Sequence, residues 1–207
     1  MKKSILISTV CILAILTIAL VACNQATSQP PQNQSSPGDQ GQGNGQASNQ
    51  SVLIVYFSCT GTTEKVANNM KSVLNCDVFE IEPSVPYTSA DLNYSNSSCR
   101  ANQEQNDATA RPQIANSVED ISKYDVILIG YPIWWGKAPK IVYTFLEQYD
   151  FSGKIIAPFC TSGSSSVSGS EGDLHAIAPS ATWKNGTRFA SNATQSTISA
   201  WIESLNL

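Results

Sequence analysis

Histidine occurs once in the 207 residues, at His175, and no two cysteines stand at the short spacing of a zinc-ligand pair. A structural or catalytic zinc site built from those residue types is not to be expected. Runs of lysine or arginine are absent. Nucleic-acid binding needs clustered cations to neutralise phosphates, so that class is set aside. Acidic residues outnumber basic ones, 16 to 12, for a formal net charge of -4. They are scattered, and no pair is placed by pattern to share general acid and base work.

What is present falls into three zones. Met1-Lys2-Lys3 is a positive start, and Ser4 to Val21 is a nearly unbroken apolar run. The run is long enough to span a bilayer, which takes roughly 18 residues or more. It also has the charged start, apolar centre and small-residue end of an export signal. Leu20-Val21-Ala22-Cys23 is similar to the lipobox of bacterial lipoproteins. That resemblance implies that residues 1–22 are a signal peptide and that Cys23 is the lipidation site. Two acyl chains there would hold the protein stably to a membrane. Losing Lys2 and Lys3 leaves 10 basic residues against 16 acidic, a net charge of -6. Residues 24–50 are almost all Gln, Asn, Ser, Gly and Pro, with Thr27 and Asp39 and no aliphatic residue beyond Ala. Such a segment cannot bury enough apolar surface to offset its ordering entropy, so a disordered linker is expected. Gly41, Gly43 and Gly45 alternate there without a flanking strand or helix, so they are spacers and not a dinucleotide fingerprint.

Residues 51–207 remain to fold as one domain, large enough for a core without disulfides. Val52 to Phe57, Val126 to Ile129 and Lys154 to Cys160 are apolar runs of the kind buried on both faces of a sheet, and Asp77 to Ile81 is a fourth candidate strand. Helical spacing marks Val66, Ala67, Met70, Val73 and Leu74, then Ile141, Val142, Phe145, Leu146 and Tyr149, then Ile198, Trp201, Ile202 and Leu205. Strands alternating with helices predict a parallel sheet with helices on both faces. Pro83 to Asn116 is polar and without period, which predicts a long loop holding a short helical piece. The last strand falls within Ala181 to Ala190, with Asn185-Gly186 read as a turn.

Ligands of open parallel sheets bind beyond the carboxyl ends of the strands, so the loops there carry the chemistry. Ser58-Cys59-Thr60-Gly61-Thr62-Thr63 offers hydroxyls, a glycine and the free amides of a helix start, which together form a phosphate cradle. No Lys completes a triphosphatase loop, and hydroxyls and amides without adjacent cations suit a terminal monophosphate. The same residues would also serve as a plain helix cap. Gly130-Tyr-Pro-Ile-Trp-Trp-Gly136 places two large aromatic faces on a loop, suited to stacking on a planar ring or to packing beneath it. One Trp is expected to line a pocket and the other to be partly structural. Thr161-Ser162-Gly163-Ser164 could bond the polar edge of a ring or merely link elements. Its serines lack glycines two residues on either side, so a hydrolase elbow fails.

The three loops together resemble flavodoxin. Ser58-x-Thr60-Gly61-x-Thr63 is similar to its FMN phosphate motif, and Tyr124-Asp125 through Pro139 with Phe159 to Gly163 is more similar to flavodoxin-like relatives of NAD(P)H–quinone reductases. The resemblance spans Val52 to Leu207 and implies a three-layer α/β sandwich around a five-stranded parallel sheet. It implies FMN held by Ser58, Thr60, Gly61, Thr62 and Thr63. Pro132, Ile133, Trp134, Trp135 and Gly136 would flank the isoalloxazine, with Thr161, Ser162 and Gly163 at its other edge. Ser164-Ser165-Ser166 departs from relatives richer in glycine there, and the long polar loop has no secure correspondence.

Cys59, Cys76, Cys99 and Cys160 remain after Cys11 leaves with the signal and Cys23 is lipidated. An even number outside the cytoplasm suggests disulfides, and Cys59 could meet Cys99 if the long loop folds over the phosphate loop. His175, in a polar helical segment, is read as solvated. Lys2-Lys3 is not a twin-arginine pair, so the chain is expected to cross the membrane unfolded and take up FMN outside. The implied partners are a redox protein or quinone at the membrane surface, with NAD(P)H as a candidate donor. Three functions stay open: a one-electron carrier, a two-electron nicotinamide-dependent reductase, and a flavin-binding surface protein without turnover.

Overall fold

The computed structural model describes residues 50–207. The signal, the lipobox Cys23 and all of the linker but Gln50 lie outside the described residues. The elements run β1 (Val52–Tyr56), α1 (Thr62–Leu74), β2 (Asp77–Glu80), α2 (Arg100–Asn106), β3 (Val126–Pro132), α3 (Lys140–Gln148), β4 (Ile155–Thr161), α4 (Ser168–Ile177), β5 (Thr182–Trp183), β6 (Thr187–Phe189) and α5 (Gln195–Ser204). All strand pairs are parallel, in the order β2-β1-β3-β4-β5, with β6 also pairing to β4. The sheet thus has five positions, the last filled by two short pieces. This is the three-layer α/β arrangement that the alternating pattern predicts.

Side chains alternate across each strand, and the two faces form separate cores. Leu53, Val55, Ile127, Ile129 and Tyr131 meet Ile141, Val142, Phe145 and Leu146 of α3 and Leu174 of α4. Ile54, Tyr56, Leu128 and Phe159 meet Val66, Ala67 and Met70 of α1 and Ile198 of α5. Burying each such aliphatic side chain contributes about 1.5–3 kcal/mol, which is why these runs dictate the fold. β3 continues past Ile129 to Pro132 because Gly130, Tyr131 and Pro132 stay in register with Phe159, Cys160 and Thr161. That register needs a glycine: a Cβ on Gly130 would lie 2.1 Å from the Phe159 ring.

The outer strand is broken for a local reason. Lys154 and Ile156 accept from Thr182 and Lys184 through their carbonyls, so by alternation Pro158 also points to that edge. Proline has no N–H to give. Pairing stops there, and three steps along β4, Ile156 to Phe159, match four along the edge, Trp183 to Thr187. The Asn185-Gly186 turn read from sequence is this bulge. Gly186 donates its N–H to Glu171 Oε1 at 2.9 Å instead.

The polar stretch from Pro83 to Asn116 is ordered by contacts the sequence does not announce. It contains α2 and is pinned by a bridge between Pro83 and Ile114. Arg100 joins Glu104 at 2.7 Å and donates to the Val85 carbonyl, while its guanidinium lies 4.0 Å over the Tyr87 ring. The Tyr87 hydroxyl donates to Glu104.

Candidate functional site

The site lies at the carboxyl ends of β1, β3, β4 and β6. β1 delivers Ser58–Thr63 to the start of α1. Gly61 caps that helix with φ 78, a left-handed conformation that L side chains rarely take. The first-turn amides of α1 have no partner within the helix and point at this loop. Thr63 is buried, and its hydroxyl pairs with that of Thr161 at 2.7 Å. This bond ties the first loop to the end of β4. The Cys59 thiol is pushed up to about 12 chiefly by burial, against a smaller opposing effect of Arg100, so it stays protonated.

The aromatic loop after β3 divides its two tryptophans. Trp134 is 5% exposed and packs edge-on against Phe57 and Tyr87, with ring centres 5.6 and 5.2 Å away. Trp135 is 37% exposed, has φ 45, and stacks on Tyr94 of the long loop at 4.3 Å. The Tyr94 hydroxyl donates to the Ile133 carbonyl. With its amide oriented to satisfy both atoms, Asn102 of α2 accepts from Trp135 Nε1 at 3.3 Å. Gln105 of α2 holds the loop from beneath. Its Nε2 donates to the Trp134 and Ala138 carbonyls at 3.1 and 3.2 Å, and its Oε1 accepts from the Lys140 amide.

These loops enclose a cleft with two lobes meeting at Thr60 and Pro132. One lobe, about 230 Å³, is walled by Ser58, Cys59, Thr63, Leu92, Tyr94, Ile133 and Trp134. The other, about 350 Å³, is walled by Thr62, Thr161, Ser162, Gly163, Arg188, Ala190 and Ser191. Of the residues singled out from sequence, Gly61, Trp135 and Gly136 line neither lobe, and the rest line one or both. The tryptophan that reaches the cleft is therefore the structural one as well, while Trp135 stands outside it.

Geometry of this kind invites comparison with known proteins. The family model described as Flavodoxin matches residues 51–205. The chain belongs to the flavodoxin family. No protein with a curated description matches it. Among solved structures, a candidate flavoprotein from Bacteroides eggerthii DSM 20697 is 40% identical, with a TM-score of 0.74, over 77% of this chain and 99% of that one. A second, from Bacteroides uniformis ATCC 8492, is 38% identical, with a TM-score of 0.71, over 74% and 98%. A flavoprotein of Lactobacillus acidophilus NCFM, solved in complex with FMN, is 26% identical, with a TM-score of 0.59, over 74% and 99%.

Within the flavodoxin fold of this chain, sequence reasoning missed Leu92, Tyr94, Arg188, Ala190 and Ser191. Tyr94 was an aromatic in an aperiodic polar loop, and Arg188 followed a strand whose limits the pattern left open. The Cys59–Cys99 pairing that the sequence left open is not formed, since all four described cysteines are free thiols. One reading is corrected. His175 is half-buried, not solvated: its ring lies 4.5 Å from that of Trp183, and it lines neither lobe. Packing on the β5 aromatic draws it in.

Proposed function

We propose that this chain binds FMN in the two-lobed cleft and serves as an electron-transfer flavoprotein, exported and tethered to a membrane by lipid on Cys23. The observation that carries the reading is a hydroxyl-and-amide loop opening on a cleft with an aromatic wall. The donor set fits FMN: Thr60, Thr62 and the first-turn amides of α1 suit a phosphate, and Trp134, Tyr94 and Ile133 suit a planar ring. Family membership and the FMN complex of the Lactobacillus acidophilus protein support the same cofactor.

When bound, FMN supplies the redox chemistry, and the protein sets its orientation and exposure. The chain's own residues do the rest. The Thr63–Thr161 hydroxyl pair fixes the phosphate loop against the ring-edge loop. Gln105 fixes the aromatic wall. The protonated Cys59 thiol leaves the phosphate loop without a negative charge of its own. No hydroxyl or thiol lining the cleft is hydrogen-bonded to a carboxylate or imidazole, and electron transfer needs no such pair.

The reading is tested by incubating the full chain with FMN, desalting, and recording the absorption spectrum. Retained flavin bands are expected. Stepwise reduction, with and without NAD(P)H, then separates a carrier from a reductase. A colourless protein that also leaves FMN fluorescence unquenched would overturn the proposal.

A further inference from the structure

The phosphate loop holds no cation of its own, and the nearest in sequence, Lys65, is exposed and lines neither lobe. The fold supplies one from 125 residues further along the chain, from Thr63 to Arg188. Arg188 is the middle residue of β6 and stands in register with Cys160 on β4. From there its side chain reaches the carboxyl end of the sheet, where Nη1 donates to the Ser162 carbonyl at 3.1 Å. It walls the same lobe as Thr60 and Thr62. Among the described residues lining the two lobes, it carries the one charged side chain.

We infer that Arg188 is the counter-charge of the cofactor's phosphate and makes the site select FMN over riboflavin. The inference rests on the FMN reading and adds a residue to it. Three physical points carry it. The phosphate is the one ionised group that distinguishes FMN from riboflavin, and a cation on the same lobe adds charge to the hydroxyls and amides that already suit it. The start of α1 offers only about half an elementary charge, and that within its first turn. Glu64 stands in that same first turn and works against an anion there. A guanidinium presents five N–H donors in a fork matched to phosphate, and the Ser162 carbonyl occupies one Nη1 donor. That bond also anchors the fork to the third loop, so its charge is held at the rim of the lobe and not left to swing in solvent.

The experiment is a fluorescence titration of the full chain with FMN and, separately, riboflavin, for wild type, Arg188→Gln and Arg188→Lys. Wild type should prefer FMN. Arg188→Gln should weaken FMN by about tenfold, the scale of one partly exposed charge-assisted contact, with riboflavin changed by less than about twofold. Arg188→Lys should fall between, since a point charge replaces the fork. High salt should weaken FMN binding more in wild type than in Arg188→Gln. Circular dichroism and thermal melts of the variants should match wild type, because the side chain is exposed. An unchanged FMN affinity in Arg188→Gln, or an equal loss for both flavins, would overturn the assignment, the second pointing to the ring or the loop instead. Wild type that binds both flavins alike would also overturn it. Wild type that binds neither would overturn the FMN reading itself and this inference with it.

Discussion

Gly130 has no room for a side chain, because Phe159 fills the space a Cβ would take. Gly130→Ala should therefore cost about 2–4 kcal/mol through forced movement of β3 against β4, read as a lower urea midpoint with an unchanged slope. Glu80 offers a test by pH. Its carboxyl sits above the ordinary 4.5, first because burial disfavours the charged form; Glu64 and Glu82 push the same way, while the Tyr56 hydroxyl donating at 3.1 Å opposes them. The folded state thus holds this proton more tightly than the unfolded chain. Its contribution is full below the unfolded value and fades as pH rises through the folded one. Glu80→Gln, which has no proton to lose, should gain stability relative to wild type between about pH 4 and pH 7, measured by urea melts at each. A constant difference across that range would show that Glu80 does not titrate in this way.

At the scale of elements, α2 matters out of proportion to its length. Seven residues, nearly all polar, hold the aromatic loop through Gln105 and the long loop through Arg100 and Glu104. Gln105→Ala should lower stability by about 1–3 kcal/mol by leaving loop carbonyls unpaired, and should weaken FMN binding while leaving the far-UV spectrum intact. Unchanged amide exchange in residues 134–138 would contradict this role for Gln105. The strands β1, β3 and β4 and the helices α1 and α3 were legible in the sequence because burial on one or both faces imposes a period. Helix α2 was legible only as a short helical piece somewhere in Pro83 to Asn116, since it buries only Ala101 and is stabilised by distant polar partners. The phosphate loop could be read because its residues are consecutive. Tyr94, Gln105 and Arg188 could not, because each reaches the site through a contact far along the chain, and spacing carries no record of that.

For the whole molecule, the expectation of a tether makes a simple prediction. Cys23→Ala in the full chain, expressed in a bacterial host, should shift the protein from the membrane fraction to the soluble one if lipid is the anchor. Equal partition of both forms to the membrane would favour a spanning apolar run instead. Among the described residues, the buried apolar side chains lie between Leu53 and Leu205.

Molecules held on a surface by short leashes meet one another far more often than molecules free in solution, and an open sheet margin is where such meetings turn into stacking. Pro158 bears on this. By interrupting the outer strand into pieces of two and three residues, it denies a neighbouring copy a continuous row of amides and carbonyls to zip onto. The opposite margin, β2, is only four residues long and begins on the exposed Asp77. On the proposed membrane anchor, a proline placed for no reason visible at the site would also keep a crowded layer of these proteins from polymerising edge to edge.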